Sequence, residues 1–273
     1  MTDPTLTTPP GFPEMPGDTR ASRAAGSRAA KTRPRATFLS VTGEILITIG
    51  LVLALFIVWQ LEWTTLEVTG PRDDRVKAFI TQNQPAGKQI APEHYEEPPI
   101  DQPVDGALGV LHVPEWKWMK IPVQEGTTTY VLDSGDAGHY EETALPGEIG
   151  NYSVAGHRRT YGNNFRQIDK LQPGVRVIME TSGHYYIYEY DSHSIWNAED
   201  PNIGSVIAPV PGDLTYEQQP TERFMTMTTC NPEFGNWERY IVHLKLHHWT
   251  DKAEGIPAEL QDEPDVGFFD TAW

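Results

Sequence analysis

Two regimes of apolar patterning divide the chain. From Val41 to Leu61 the run VTGEILITIGLVLALFIVWQL is apolar on every face, and no charged residue falls between Ile45 and Leu61. At about 1.5 Å of rise per residue, such a run with its flanks crosses a hydrocarbon core of about 30 Å. It ends in WQLEW rather than in a small-residue cleavage site, and it is longer than a signal-peptide core. A retained transmembrane helix is therefore predicted over 41–63, with Trp59 and Trp63 as anchors at the far interface. From Ala107 the texture changes to short runs of β character broken by Gly, Pro, Asp and Asn: ALGVLHVP, MKIPV, TTYVL, NYSVAGH, RVIMET, HYYIYEYDSHSI, FMTMTTC and RYIVHLKL. Closely spaced short strands with no long amphipathic helix between them predict an all-β domain over 107–249, an antiparallel barrel or sandwich. The interval from Trp196 to Glu222 holds Pro201, Pro209, Pro211 and Pro220. It cannot be a central strand and is expected to be a crossing loop with room for a short helix.

The flanks read differently. Residues 1–40 are rich in Thr, Pro, Ala, Ser and Arg and carry too little apolar surface to offset the entropy of ordering, so a disordered tail is expected there. Its basic side chains are Arg20, Arg23, Arg28, Lys31, Arg33 and Arg35, against Asp3, Glu14 and Asp18. The whole chain has a net charge of −17, so the remainder is strongly acidic. By the positive-inside rule the tail stays in the cytoplasm and the body lies outside the cell membrane, in a single-pass arrangement. An acidic body is repelled by a polyanion, which argues against nucleic acid as a partner. Residues 64–106, with Pro71, Pro85, Pro92, Pro98, Pro99 and Pro103 among scattered acids, suggest an extended extracellular linker. One or two helical turns have room in VKAFITQNQ, residues 76–84. Beyond Trp249 the sequence DKAEGIPAELQDEPDVGFFDTAW suggests an exposed acidic tail over 250–273, whose terminal FFDTAW is apolar enough to dock.

Strict alternation returns in MTMTTCNPEFGNWERYIVHLKL, Met225 to Leu246, and there it singles out chemistry. Met225 and Met227 fall on one face; Phe224, Thr226, Thr228 and Cys230 fall on the other. After a turn marked by Asn231, Pro232, Gly235 and Asn236, Tyr240, Val242, Leu244 and Leu246 alternate with Arg239, Ile241, His243 and Lys245. If these strands pair as a hairpin, Cys230 and Arg239 meet across one rim, with facing Cβ atoms about 4.5–5.5 Å apart. A lone free cysteine is more often a small buried hydrophobe. Here the strand phase points it outward, beside a permanent cation that favours the thiolate. In an oxidising exterior a single cysteine makes no internal disulfide, which leaves an intermolecular partner or a free reactive thiol.

A reactive thiol needs a proton-transfer partner, and among nine histidines His157 stands apart. It closes NYSVAGH and precedes RRTYGNNF, a Gly- and Asn-rich turn that exposes a side chain. His243 and His247 have the i, i+4 spacing of a helical zinc site, but the surrounding period is two, which separates them along a strand. No metal site, cofactor or EF-hand-like calcium loop is indicated.

The order AGHR, then TTC, then ERYIVH resembles the sortases, membrane-anchored cysteine transpeptidases of Gram-positive bacteria. TALPGEIGNYSVAGHRRTYGNNF looks like the run around the sortase catalytic histidine, TTC like the nucleophile strand and ERYIVH like the arginine strand. The HRxTYGxxF wording is most similar to class E, the actinobacterial housekeeping type. Asn231 follows Cys230 where many relatives carry histidine. The linker has no Asp-Pro-aromatic lid and the chain has no second membrane helix, so the pilus-building class C fits poorly. The resemblance implies a closed eight-stranded β-barrel. It also implies that Cys230 attacks the Thr-Gly carbonyl of an LPXTG-like or LAXTG-like sorting signal on surface proteins. His157 then serves the departing and incoming amines, Arg239 holds the substrate backbone and opposes the oxyanion, and Thr229 touches the signal. The acyl acceptor it implies is a peptidoglycan precursor or stem-peptide amine, and no cofactor. Two rivals remain at this point. An L,D-transpeptidase would show a SHGC-type motif, and a papain-like hydrolase would place Cys before His; the chain has neither. A noncatalytic anchored β domain binding a surface partner would leave the thiol, imidazole and guanidinium at strand ends unexplained.

Overall fold

The computed structural model of the chain describes residues 37–264. Most of the basic tail expected over 1–40, and the apolar FFDTAW at 268–273, lie outside the described residues. Two compact units divide at Thr48. The described part of the first is the beginning of helix α1 (Phe38–Gln82), where Thr42 and Thr48 hydroxyls donate to carbonyls one turn back. The second unit holds the rest of α1 and everything after it. The apolar part of α1 is long and apolar enough to cross a membrane, and none of its most apolar window is buried. Leu51, Leu55 and Phe56 stand exposed along it.

The linker expected over 64–106 is not an extended spacer. Helix α1 runs 45 residues, straight through Pro71. A proline in a helix forfeits a single backbone bond, and packing overrides that loss: Val76 is buried at 3% exposure, and Arg72 is fully buried. From Asn83 the chain lies across the β domain. The Ala86 N–H donates to Lys252 O, the Ala91 N–H to Ile256 O, and the Tyr186 hydroxyl to Pro99 O.

Eight strands close into a barrel: β1 (Ala107–Val113), β2 (Met119–Glu125), β3 (Ala137–His139), β4 (Gly150–Ala155), β5 (Arg176–Glu180), β6 (His184–Asn197), β7 (Arg223–Asn231) and β8 (Glu238–Asp251). Neighbours run β1-β2-β3-β4-β7-β8-β6-β5, with β5 pairing back to β1. The barrel is not wholly antiparallel, because β2/β3 and β4/β7 are parallel. One of the runs expected to be a strand, TTYVL, contains instead the single helical turn α2 (Thr129–Leu132), and β3 takes the missing place. Three residues are too few to show a period of two, and β3 exists only through its neighbours.

Alternating side chains fill the interior: Leu111, Ile121, Val123, Tyr152, Val154, Met225, Met227, Val242 and Leu244 are all fully buried in one cluster. The other face of β7 is covered as well. The long loop between β6 and β7, with a 3₁₀ turn at Ile203–Ile207, lies over it. Asn151 Nδ2 donates to Val206 O and Ala208 O, while Thr226 Oγ1 donates to Asn151 Oδ1 at 2.7 Å.

The acidic segment after β8 also folds back, contrary to the exposed tail expected there. Ile256 bridges to Ile90, Leu260 is buried, and Glu263 sits 2.7 Å from His112 Nδ1 and 3.0 Å from Lys120 Nζ. Glu180 takes the other nitrogen of His112 at 2.7 Å. Burial pushes the His112 imidazolium down, but Glu263 and Glu180 outweigh it and raise the group to about 9. The unfolded value is about 6.5, so stability from this charge is complete below about 6.5 and lost as pH rises through about 9. Glu180, Glu263, Lys120 and Lys252 remain in both proteins if His112→Gln is compared with the parent chain. The stability gap between them, followed by thermal unfolding, is expected to narrow as pH is raised from about 6.5 to above about 9. A gap independent of pH over that range would show that His112 is uncharged in the fold.

Candidate active site

The end of the barrel where β4 and β7 end and β8 begins gathers the thiol, the imidazole and the guanidinium. Strands β7 and β8 pair antiparallel with Cys230 directly opposite Arg239. Strands β4 and β7 pair parallel, the ladder ending at Ala155 with Thr228. Two residues further along each chain are His157 and Cys230, so the parallel register brings both out at the same rim. Three bonds carry that register past the last ladder pair. The Gly156 N–H donates to Thr228 O at 3.1 Å. Thr229 Oγ1 donates to Gly156 O at 2.7 Å. One residue beyond His157 and Cys230, buried Arg158 donates to Asn231 Oδ1.

Cys230 is the sole cysteine of the chain; it is free and half-buried. His157 is 27% exposed, and its Nε2 lies 2.8 Å from Asp133 Oδ1. Arg239 is half-buried, and its Nη1 donates to Asn236 O at 2.8 Å and Glu238 O at 2.9 Å, both at the β7–β8 turn. Tyr140, just past β3, shares a hydrogen bond of 3.0 Å with Thr228 Oγ1. Burial raises the Tyr140 phenol above its ordinary value; Thr228 and Arg239 oppose the shift and Cys230 adds to it. The phenol thus lies within electrostatic reach of both catalytic candidates on the hairpin.

The local sequence explains why these ends are firm. A Cβ on Gly156 would come within 2.9 Å of the Phe165 ring, so the residue before His157 has to be glycine for Phe165 to close over the strand end. Arg158 is also 5.4 Å from the Tyr240 ring centroid and 3.5 Å from Asp169, while Asn231 Nδ2 donates to Glu238 Oε2 at 2.6 Å. Glu233 accepts from Arg159 at 3.3 Å and Arg166 at 3.0 Å, which binds the turn after Cys230 to the loop after His157.

The comparisons with known proteins agree with this geometry. A family model described as a sortase domain matches residues 111–247. The chain belongs to the sortase family. It is 34% identical over 248 residues to sortase SrtE1 of Streptomyces coelicolor, covering 88% of this chain and 66% of that protein. It is 30% identical to SrtE2 of the same organism, covering 89% of this chain and 98% of that one. Among solved structures, the SrtA sortase of Actinomyces oris matches with a TM-score of 0.59 at 40% identity, over 64% of this chain and all of that one. A crystal structure of S. coelicolor sortase E1 with a tripeptide in its active site matches with a TM-score of 0.51 at 35% identity, over 59% of this chain and 99% of that one. Sortases are cysteine transpeptidases, and this sortase is most like class E.

One expectation changes once the sortase is seen in three dimensions. Thr229, expected to touch a sorting signal, is 3% exposed and on the interior face with Met227. Its hydroxyl donates to the carbonyl of Gly156, the residue before His157. Asn231 accepts from Arg158 and donates to Glu238. Asp133, Tyr140 and Arg158 went unnoticed in sequence; Arg158 was visible as the residue following His157, whereas the other two reach the site only through β3 and the turn before it. A cavity of about 550 Å³ between the later half of α1 and the segment around Leu260 includes none of these residues. Among the described residues no group of three or more His, Cys, Asp or Glu side chains could hold a metal ion. His243 is buried, shares a 2.8 Å bond with Thr226 and is pushed down to about 4 by burial, so it is neutral at physiological pH.

Thr229→Val removes the hydroxyl while keeping the shape, leaving the Gly156 carbonyl without that donor. A loss of about 1–3 kcal/mol in urea unfolding is expected. An unchanged midpoint would mean the bond contributes nothing to holding the two strand ends together.

Proposed function

We propose that this sortase cleaves an LPXTG-like or LAXTG-like sorting signal between Thr and Gly and transfers the surface protein to a peptidoglycan amine. The observation that carries the reading is Cys230 facing Arg239 across β7 and β8, with His157 two residues past the end of the parallel β4/β7 ladder. The thiolate of Cys230 attacks the threonine carbonyl carbon, and charge develops on the carbonyl oxygen. Arg239 turns its donors from the carbonyls of Asn236 and Glu238 to that oxygen and the substrate backbone, where stabilisation of developing charge counts most. His157 as imidazolium protonates the glycine nitrogen as the C–N bond breaks, leaving a thioester on Cys230 and a neutral imidazole. The incoming amine then attacks the thioester and loses its proton to His157. The new amide forms, the Cys230 thiolate departs, and both side chains return to their starting states.

The setting follows from α1. The basic residues before it keep the N-terminus in the cytoplasm, and the barrel works outside the cell, next to proteins arriving through the membrane. The acceptor is a cell-wall stem peptide or its precursor, the amine available on that side of the membrane.

The test uses the full chain in detergent micelles with LAXTG and LPXTG peptides and triglycine as acceptor, followed by mass spectrometry. Cleavage between Thr and Gly with transfer to triglycine is expected, together with a Cys230 acyl adduct. Cys230→Ala abolishes it, His157→Ala nearly does, and Arg239→Ala lowers kcat about 10²–10³-fold while the protein stays folded. Normal turnover in any of the three removes that residue from the mechanism, and no cleavage of either peptide by a folded enzyme removes the signal class.

A further inference from the structure

Two stretches of chain reach the His157 imidazole besides its own strand, and the three-residue mechanism uses neither. Asp133 immediately follows α2, its N–H bonded to Thr129 O at 2.9 Å, and its Oδ1 lies 2.8 Å from His157 Nε2. Tyr161 lies beside the ring, the centroids 5.2 Å apart and the planes inclined by 31°. One ring nitrogen is thus engaged and the ring's tilt is set, which leaves Nδ1 for proton transfer.

Side chains 27% and 37% exposed often meet without consequence, and such pairs add little to stability. What lies beneath this pair is buried and specific. Asn164, fully buried, donates to Gly135 O at 2.8 Å and accepts from Arg72 Nη1 at 2.8 Å. Arg72 also donates to Gly162 O at 3.1 Å. Gly162 has φ +97°, and a Cβ there would lie 2.7 Å from Arg72 Nη1, so the loop leaves room for the guanidinium. Arg75 donates to Ser134 O at 2.7 Å and pairs with buried Asp136 at 2.7 Å. Burial pulls Arg72 down to about 10, which still leaves it charged at neutral pH. The residues just after Asp133 and the loop after His157 are therefore fastened to each other and to α1.

We propose that Asp133 is a positioning residue for His157, held in place by Arg72 and Arg75 of α1. The inference rests on the reading of His157 as acid and base given above. By accepting the Nε2–H, Asp133 keeps the neutral imidazole in the tautomer whose Nδ1 is bare. The same nitrogen then presents the proton to the departing amine and takes one from the incoming amine. Asp133 forms no bond to substrate and keeps its charge throughout.

The experiment compares the full chain in detergent micelles with Asp133→Leu, Asp133→Asn and Arg75→Met, using the peptide the parent enzyme cleaves. Asp133→Leu is expected to lower kcat about tenfold or more with KM for the peptide within about twofold. Asp133→Asn, whose amide oxygen accepts the same bond, recovers part of the loss, and Arg75→Met lowers kcat in the same sense. Nitrogen NMR of histidine-labelled protein gives a readout independent of turnover. At a pH high enough to leave the ring neutral, the signal missing in His157→Gln is expected to report the Nε2–H tautomer in the parent and a mixture in Asp133→Leu. An unchanged tautomer in Asp133→Leu overturns the proposal whatever happens to kcat, as does a full kcat with a changed tautomer. Arg75→Met with reduced stability but full kcat overturns the part assigned to α1. If the parent cleaves no sorting peptide, the proposed function fails, and the tautomer still decides whether Asp133 sets His157.

Discussion

The parallel ladder from Gly150 with Arg223 to Ala155 with Thr228 is the constraint on which the site depends. An antiparallel arrangement of β4 against β7 would put the ends of the two strands at opposite rims of the barrel. The parallel one brings His157 and Cys230 out at the same rim, and the antiparallel pairing of β7 with β8 then adds Arg239 opposite Cys230. The distant His157 joins the local Cys230–Arg239 pair because one strand has neighbours of opposite sense on its two sides. Parallel pairing requires a crossover, and here it includes β5, β6 and the long loop beyond. That loop also seals the outer face of β7 through Asn151 and Thr226, so the strand bearing the thiol is packed on both faces along most of its length. Cys230, one residue beyond the sealed stretch, stays half-buried.

The hairpin half of this arrangement was legible in the sequence and the parallel half was not. Period-two alternation assigned Met225, Met227, Val242 and Leu244 to the interior and set Cys230 against Arg239, because both facts are local to one turn. The pairing of β4 with β7 depends on contacts some 70 residues apart, as in Arg158 with Asn231, and no periodicity encodes which strand lies beside which. β3 was lost to its length, and its loss cost sight of Tyr140 and Asp133, which lie just beyond its two ends.

The flanks misled for a different reason. Composition speaks to the unfolded chain's preferences, and both flanks are proline-rich or acidic enough to look extended. Tertiary contacts reverse those preferences: Val76 and Arg72 hold α1 to the barrel past Pro71, and the His112 cluster fastens Glu263. In each case the decisive partner is a charged side chain that burial would penalise if it stood alone. Such partners are invisible to any window-based reading, since Arg72 needs Asn164 and Glu263 needs His112.

The same buried charges bear on how helix α1 meets the candidate site. A helix that only tethered the barrel could leave it through a flexible hinge, and the loop after His157 would have no link to it. Helix α1 instead continues into the β domain and donates from Arg72 to Gly162 and Asn164, within the loop that begins at His157. Arg75, one turn along, reaches Ser134 and Asp136 beside Asp133. The last turns of the helix therefore belong to the active-site scaffold rather than to a spacer. A cation with fixed acceptors tolerates little displacement, because moving it leaves both the guanidinium and the buried carbonyls without partners. The geometry of the imidazole is thus tied to the docking of the helix on the barrel.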